Sequence, residues 1–254
     1  MSASIWTRCG ARANLRRLTA RAWRVVEGQH VISTRKLVDS REEQEILEEL
    51  IDGAKPRLPD AAADPGLHYL LATPFRYPPL AHGSRFGTRA EPSLWYGSAR
   101  RRTAFAETAY YRLVFLEGTT AELSPLSSDF SIFDARLSTR RGVDLSRPPF
   151  DRYQAQIASP SSYDASQRLG REMREDGAEC LRYPSARDRA SGLNVAAFTP
   201  RVFTAKSPGI PEAWHCVATR QLVEFTKKDL LSPRTLSFAR AEFEVRGRLP
   251  APAL

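Results

Sequence analysis

Short apolar runs set off by prolines and glycines constrain the fold of this chain more than any other feature. They include Leu94–Tyr96, 178–183, 193–198, 214–218 and 221–225. Runs of this length suit strands, and 18 prolines and 14 glycines supply the turns between them. Two segments carry helical spacing instead. Arg100–Leu116 places Phe105, Ala109, Leu113 and Leu116 on one face, and 162–176 is followed by Gly177 at the C′ position. Strands do not alternate regularly with helices, so the pattern predicts an α+β fold, not a doubly wound sheet.

The remaining segments extend this reading. Residues 68–73 read as a strand, 121–137 as strand, loop and strand, and 235–245 as one more strand, while 146–149 break the pattern. Residues 1–64 read as a helical accessory region and linker, 65–246 as the main domain and 247–254 as a loose tail. Leu15, Leu18, Ala22 and Val25 predict a basic helix over 11–24. The first 26 residues hold Arg8, Arg12, Arg16, Arg17, Arg21 and Arg24 and no acid. That composition is like a transit peptide, but the segment is read as mature protein. Ser40 and Glu43 form a capping box before the stripe Ile46, Leu47, Leu50 and Ile51, and 56–65 reads as linker.

At 254 residues with 42% hydrophobic content, the chain can build one sizeable core. Its net charge of +9 favours phosphate-bearing ligands, nucleic acid or acidic partners. Cys9, Cys180 and Cys216 form no CxxC pair, which argues against a disulfide framework or zinc ribbon and fits a reducing cytoplasm. Four histidines without HExxH or HxH give no metal site. No apolar run reaches the roughly 18 residues of a membrane helix. GxGxxG, GxxxxGK[ST] and GxSxG are all absent, so any catalysis must come from dispersed residues.

Six residues are candidates. Arg76 and Arg85 flank a Pro- and Gly-rich loop and could bind phosphate. Tyr96, on a short strand, could stack on a planar ring. Glu107 lies off the apolar stripe of its helix and could stabilise an oxocarbenium-like centre. Ser185, in a turn after a strand, could hydrogen-bond a phosphate or an amide, and Asn194 follows in the next turn. Each also has an ordinary reading as a surface arginine, a strand tyrosine, a solvated helix carboxylate or a turn residue.

Their order is more specific than any one of them. Gly83-Ser-Arg85-Phe, Tyr96-Gly-Ser98, Glu107, Pro184-Ser185-Ala and Asn194 together resemble the RES domain family, named for its arginine, glutamate and serine. The resemblance covers about 65–230. Ser84 stands where the family usually has glycine, and the loop onward to Tyr96 is slightly longer. Val25–Val38 and Lys55–Pro59 also look like a leader found in one branch of the family.

The resemblance implies a mixed sheet split around a cleft, similar to ADP-ribosyltransferases. It implies a cytoplasmic toxin of a bacterial type II toxin–antitoxin pair that degrades NAD+, with inorganic phosphate or water as the attacking group. NAD+ is then substrate, and no prosthetic group is expected. The implied partner is an Xre-like antitoxin that blocks the cleft in an oligomeric complex and supplies the contact with DNA. Carried over, Arg76 and Arg85 would hold the NAD phosphates, and Tyr96 would pack on the nicotinamide or its ribose. Glu107 would stabilise positive charge, Ser185 would fix the ligand and Asn194 would support the same wall. Arg85, Tyr96 and Glu107 form the expected catalytic set. The alternatives are ADP-ribosyl transfer to a protein and, on the basic segments alone, a non-catalytic nucleic-acid-binding module.

Overall fold

The longest element, a 19-residue strand, organises everything around it. The computed structural model describes residues 3–28, 38, 40, 42, 43, 45–47, 50, 66–121, 125–229 and 231–252. Its strands are β1 (Arg16–Glu27), β2 (Trp95–Ser98), β3 (Leu126–Asp144), β4 (Cys180–Pro184), β5 (Leu193–Ala197), β6 (Glu212–Ala218), β7 (Leu222–Lys227) and β8 (Thr235–Ala239). The α-helices used below are α1 (Ile5–Arg8), α2 (Tyr69–Arg76), α3 (Arg101–Glu117), α4 (Gln154–Ile157) and α5 (Asp164–Glu175). The strands form one mixed sheet in the order β1-β2-β5-β4-β3-β6-β7-β8, with β3–β4 parallel and the other pairs antiparallel. This is the α+β architecture the sequence predicts.

β1 also pairs with β3 along most of its length, so β1, β2, β5, β4 and β3 close into a ring. Side chains alternate across each strand. Leu18, Ala22, Trp95, Phe133, Leu137, Cys180, Val195 and Ala197 fill the inside, with Leu70, Leu71 and Phe75 of α2 packed against them. Two further clusters cover the outer face. In one, α3 lays Phe105, Ala109, Leu113 and Leu116 on Trp214, Phe225 and Phe238. In the other, α5 lays Leu169 and Met173 on Val143, Leu181 and Ala196. At ~1.5–3 kcal/mol for each large side chain fully removed from water, these clusters hold the helices to the sheet.

Several expectations need correction. Residues 16–27 form a strand, where a helix over 11–24 was predicted. Leu18 and Ala22 are four apart, a spacing that shares a face in either conformation, and both are buried. Residues 16–27 are therefore part of the sheet. α1 adds to the attachment through Trp6, whose indole N–H donates to Asp176 at 2.7 Å, and Arg12 bridges the same acid at 2.6 Å. Residues 69–76 form a helix capped by the His68 ring, where a strand was expected. The break expected within 121–137 is absent from 126 onward. Two of its polar residues are satisfied across the sheet, Asp129 by His215 at 2.9 Å and Lys228 at 2.6 Å, and Ser127 by His215 at 3.2 Å. Within the tail, Pro250 accepts a hydrogen bond from the Tyr110 hydroxyl at 2.6 Å, and Leu249 packs on the α3 cluster.

Other readings match. Ala178 N donates to Met173 O and Gly177 N to Arg174 O, the paired bonds of a Schellman cap on α5. Ser40 and Glu43 exchange the two bonds of the capping box. Ile46 and Leu50 of the stripe that follows are exposed. Ile51, the linker 56–65 and most of 25–38 beyond Gly28 lie outside the described residues. Among the described residues no helix is long and apolar enough to cross a membrane.

Candidate active site

Where β1 and β2 meet they share a single pair, Trp23 opposite Ser98. Ser98 is in turn opposite Asn194 on β5, and Asn194 opposite Tyr183 on β4. Trp23, Ser98, Asn194 and Tyr183 thus form one row across the outer face. This row floors a cleft of about 280 Å³ between the α3 and α5 clusters, and Arg85, Tyr96, Glu107, Tyr111 and Tyr163 are among its walls.

Glu107 comes from the second turn of α3, on the side away from Phe105 and Ala109. Its Oε1 accepts from the Ser185 hydroxyl at 2.6 Å and from Asn194 Nδ2 at 2.6 Å. Oε2 has no hydrogen-bond partner among the described residues, and no cation there lies within ion-pair distance of the carboxylate. Both donors are themselves fixed. Ser185 Oγ accepts from the Arg187 and Asp188 amides at 3.0 Å each. Asn194 Oδ1 accepts from Ser98 Oγ at 2.6 Å, which orients the amide group so that Nδ2 faces Glu107.

Arg85 lies at the tip of a tight loop. Gly83 turns the chain at φ +71°, where a Cβ would come within 2.3 Å of Gly87 O. Ser84 and Gly87 pair across the loop, and Gln167 of α5 donates to the carbonyls of His82 and Ser84. Phe86 is fully buried, with its ring edge against Tyr183 at 4.7 Å. Arg85 Nη1 donates to Ser159 O at 2.9 Å and to Ile157 O at 3.3 Å, and the guanidinium lies 4.7 Å from the Tyr163 ring centre.

The Tyr96 hydroxyl meets Ser84 Oγ at 2.9 Å and accepts from the Phe86 amide at 3.2 Å. The serine that replaces the family's usual glycine therefore ties the arginine loop to the tyrosine strand. Burial pushes the Tyr96 and Tyr183 hydroxyls above the ordinary tyrosine range, so both stay protonated near neutral pH.

The structure brings Arg85, Tyr96, Glu107 and Asn194 to one cleft, with Ser185 directly behind Glu107. Ser185 faces the carboxylate, not open space. Arg76 ends α2 and is not among the residues lining the cleft. Among the lining residues that the sequence candidates did not include, two come from β1. Trp23 lies between Arg101 and Arg21, whose guanidinium carbons are 4.0 and 4.8 Å from its ring centre. Arg24 donates to Tyr96 O at 2.7 Å, and burial lowers its pKa to about 10. Reading β1 as a helix hid both. The signal that could have found them is the β-rich composition Thr19, Trp23, Val25 and Val26.

A carboxylate held by neutral donors keeps its full charge for whatever enters the cleft. With a guanidinium and several aromatic rings around it, the site suits a ligand that is anionic at one end and cationic and planar at the other. No curated protein matches the chain. Among solved structures, the M. tuberculosis MbcT–MbcA toxin–antitoxin complex aligns with a TM-score of 0.45 at 8% identity, covering 81% of this chain and 87% of that one. The model of the RES domain matches residues 57–219, which contain Arg85, Tyr96, Glu107, Ser185 and Asn194, and the chain accordingly belongs to the RES domain family.

Proposed function

We propose that this protein is the toxin of a bacterial type II toxin–antitoxin pair and degrades NAD+ by cleaving the bond between nicotinamide and ribose. The observation that carries the reading is Glu107, which lines the cleft and is held by Ser185 and Asn194 with no neutralising cation among the described residues. Nicotinamide is a cationic leaving group. As the bond breaks, its electron pair leaves with the ring nitrogen and positive charge passes to the ribose carbon. A preorganised carboxylate stabilises that charge. Arg85 holds a phosphate oxygen, and Tyr96 packs on the nicotinamide end. Phosphate or water then adds to the ribose carbon and loses a proton, giving ADP-ribose-1″-phosphate or ADP-ribose beside free nicotinamide. Family membership supports the toxin role, with an Xre-like antitoxin covering the cleft.

The test is NAD+ loss, followed by chromatography and mass spectrometry, in phosphate and in phosphate-free buffer beside Glu107→Gln. Consumption that needs both Glu107 and phosphate supports phosphorolysis, and consumption without phosphate supports hydrolysis. No consumption by folded, antitoxin-free protein overturns the reading in favour of transfer to a protein.

A further inference from the structure

A second basic hollow lies apart from the cleft and shares no lining residue with it. It has a volume of about 430 Å³ and is lined by four arginines, Arg16, Arg17, Arg147 and Arg182, around one acid, Asp144. Consecutive strand residues ordinarily face opposite ways. Here the register slips between Arg16, opposite Gly142, and Leu18, opposite Thr139. The resulting bulge brings both Arg16 and Arg17 to the same hollow. Gly142 permits the close approach, because a Cβ there would lie 2.2 Å from the Leu18 Cβ.

The charge in this hollow is unbalanced. Asp144 is already shared, since it pairs with Arg182, lies 3.4 Å from Arg147 and accepts from Ser146. Arg16 and Arg17 have no acid within ion-pair distance among the described residues. Arg182 Nε is buried with no hydrogen-bond partner. The rim arginines 16, 17 and 147 are exposed. Guanidinium groups gathered in one concavity repel each other, and an oxyanion would offset that repulsion. Their planar forks match phosphate oxygens two at a time.

We propose that this hollow is a binding site for a compact phosphate-bearing ligand of the pyrophosphate or nucleoside phosphate class. Arg16, Arg17 and Arg147 grip the phosphate, and Asp144 fixes Arg182 as the floor. The site is independent of NAD+ cleavage, so its failure leaves the functional reading above untouched.

Calorimetric titration of the full chain with pyrophosphate tests it. The expected result is saturable binding that weakens about tenfold or more in Arg16→Ala/Arg147→Ala and is unchanged in Arg85→Ala, which removes the cleft's own phosphate-binding guanidinium. Should the double variant fold poorly by circular dichroism, the exposed Arg17→Ala makes the same comparison. Undiminished binding in the hollow variants, or loss in Arg85→Ala instead, overturns the proposal. So does absence of pyrophosphate binding, including the case in which the protein binds only duplex DNA.

Discussion

Glu107 and Glu212 are the same side chain in opposite settings. Glu212 opens β6 and takes both outer nitrogens of Arg101, with Lys227 Nζ 3.6 Å away. Glu107 lies six residues further along the helix that Arg101 begins, yet among the described residues it is held only by a hydroxyl and an amide. In a chain with 38 lysines and arginines, pairing an acid with a cation is the easy outcome. The helix directs its cation to Glu212 and leaves Glu107 with its charge uncompensated. A paired carboxylate contributes to stability, whereas an unpaired but oriented one is available for chemistry.

The largest expected effect comes from removing that charge. Glu107→Gln preserves shape, and NAD+ turnover should fall about 100-fold or more. A variant within threefold of wild type would sink the assignment. Next come the holders. Ser185→Ala and Asn194→Ala should each lower kcat about tenfold through misorientation of the carboxylate. Asn194→Asp should do more, because a like charge beside Glu107 favours its protonated form. The acidic limb of the pH–rate profile should then move to higher pH. An unmoved limb would show that Glu107 and residue 194 are not electrostatically coupled.

Arg85→Ala should act mainly on binding, raising KM about tenfold with a smaller change in kcat. A pure kcat effect would place Arg85 in the chemistry instead. The smallest effect belongs to the other member of the comparison. Glu212→Gln should leave turnover unchanged and cost about 0–1 kcal/mol of stability. The hydrogen bond from Arg101, with the nearby positive charges, holds the Glu212 carboxyl below its ordinary value of 4.5. Its contribution is therefore complete above the unfolded-state pKa and lost as pH falls through the lower folded-state value. The gap in Tm between wild type and Glu212→Gln should close under acid, and a gap that widens would reverse the sign of the interaction.

How much of this was legible in the sequence depended on distance along the chain. The helix that carries Glu107 and the strand before Ser185 are local patterns, and both were readable. That Ser185 and Asn194 hold Glu107 was not, because the contacts span 78 and 87 residues and depend on the β2–β5 register. β1 was misread because a four-residue spacing serves helix and strand alike, and the partner that decides between them begins 99 positions beyond Glu27, at Leu126. Arg76 was grouped with Arg85 because the two flank one loop, but only Arg85 lines the cleft.

The span between Glu107 and its two holders also has a temporal meaning. A ribosome adding roughly 5–20 residues per second needs on the order of several seconds to pass from Glu107 to Asn194. Throughout that interval the emerging chain carries the carboxylate without the groups that aim it. An incomplete product that stops before Asn194 also lacks β5, the strand that joins β2 to β4, so premature termination leaves the floor of the cleft unassembled.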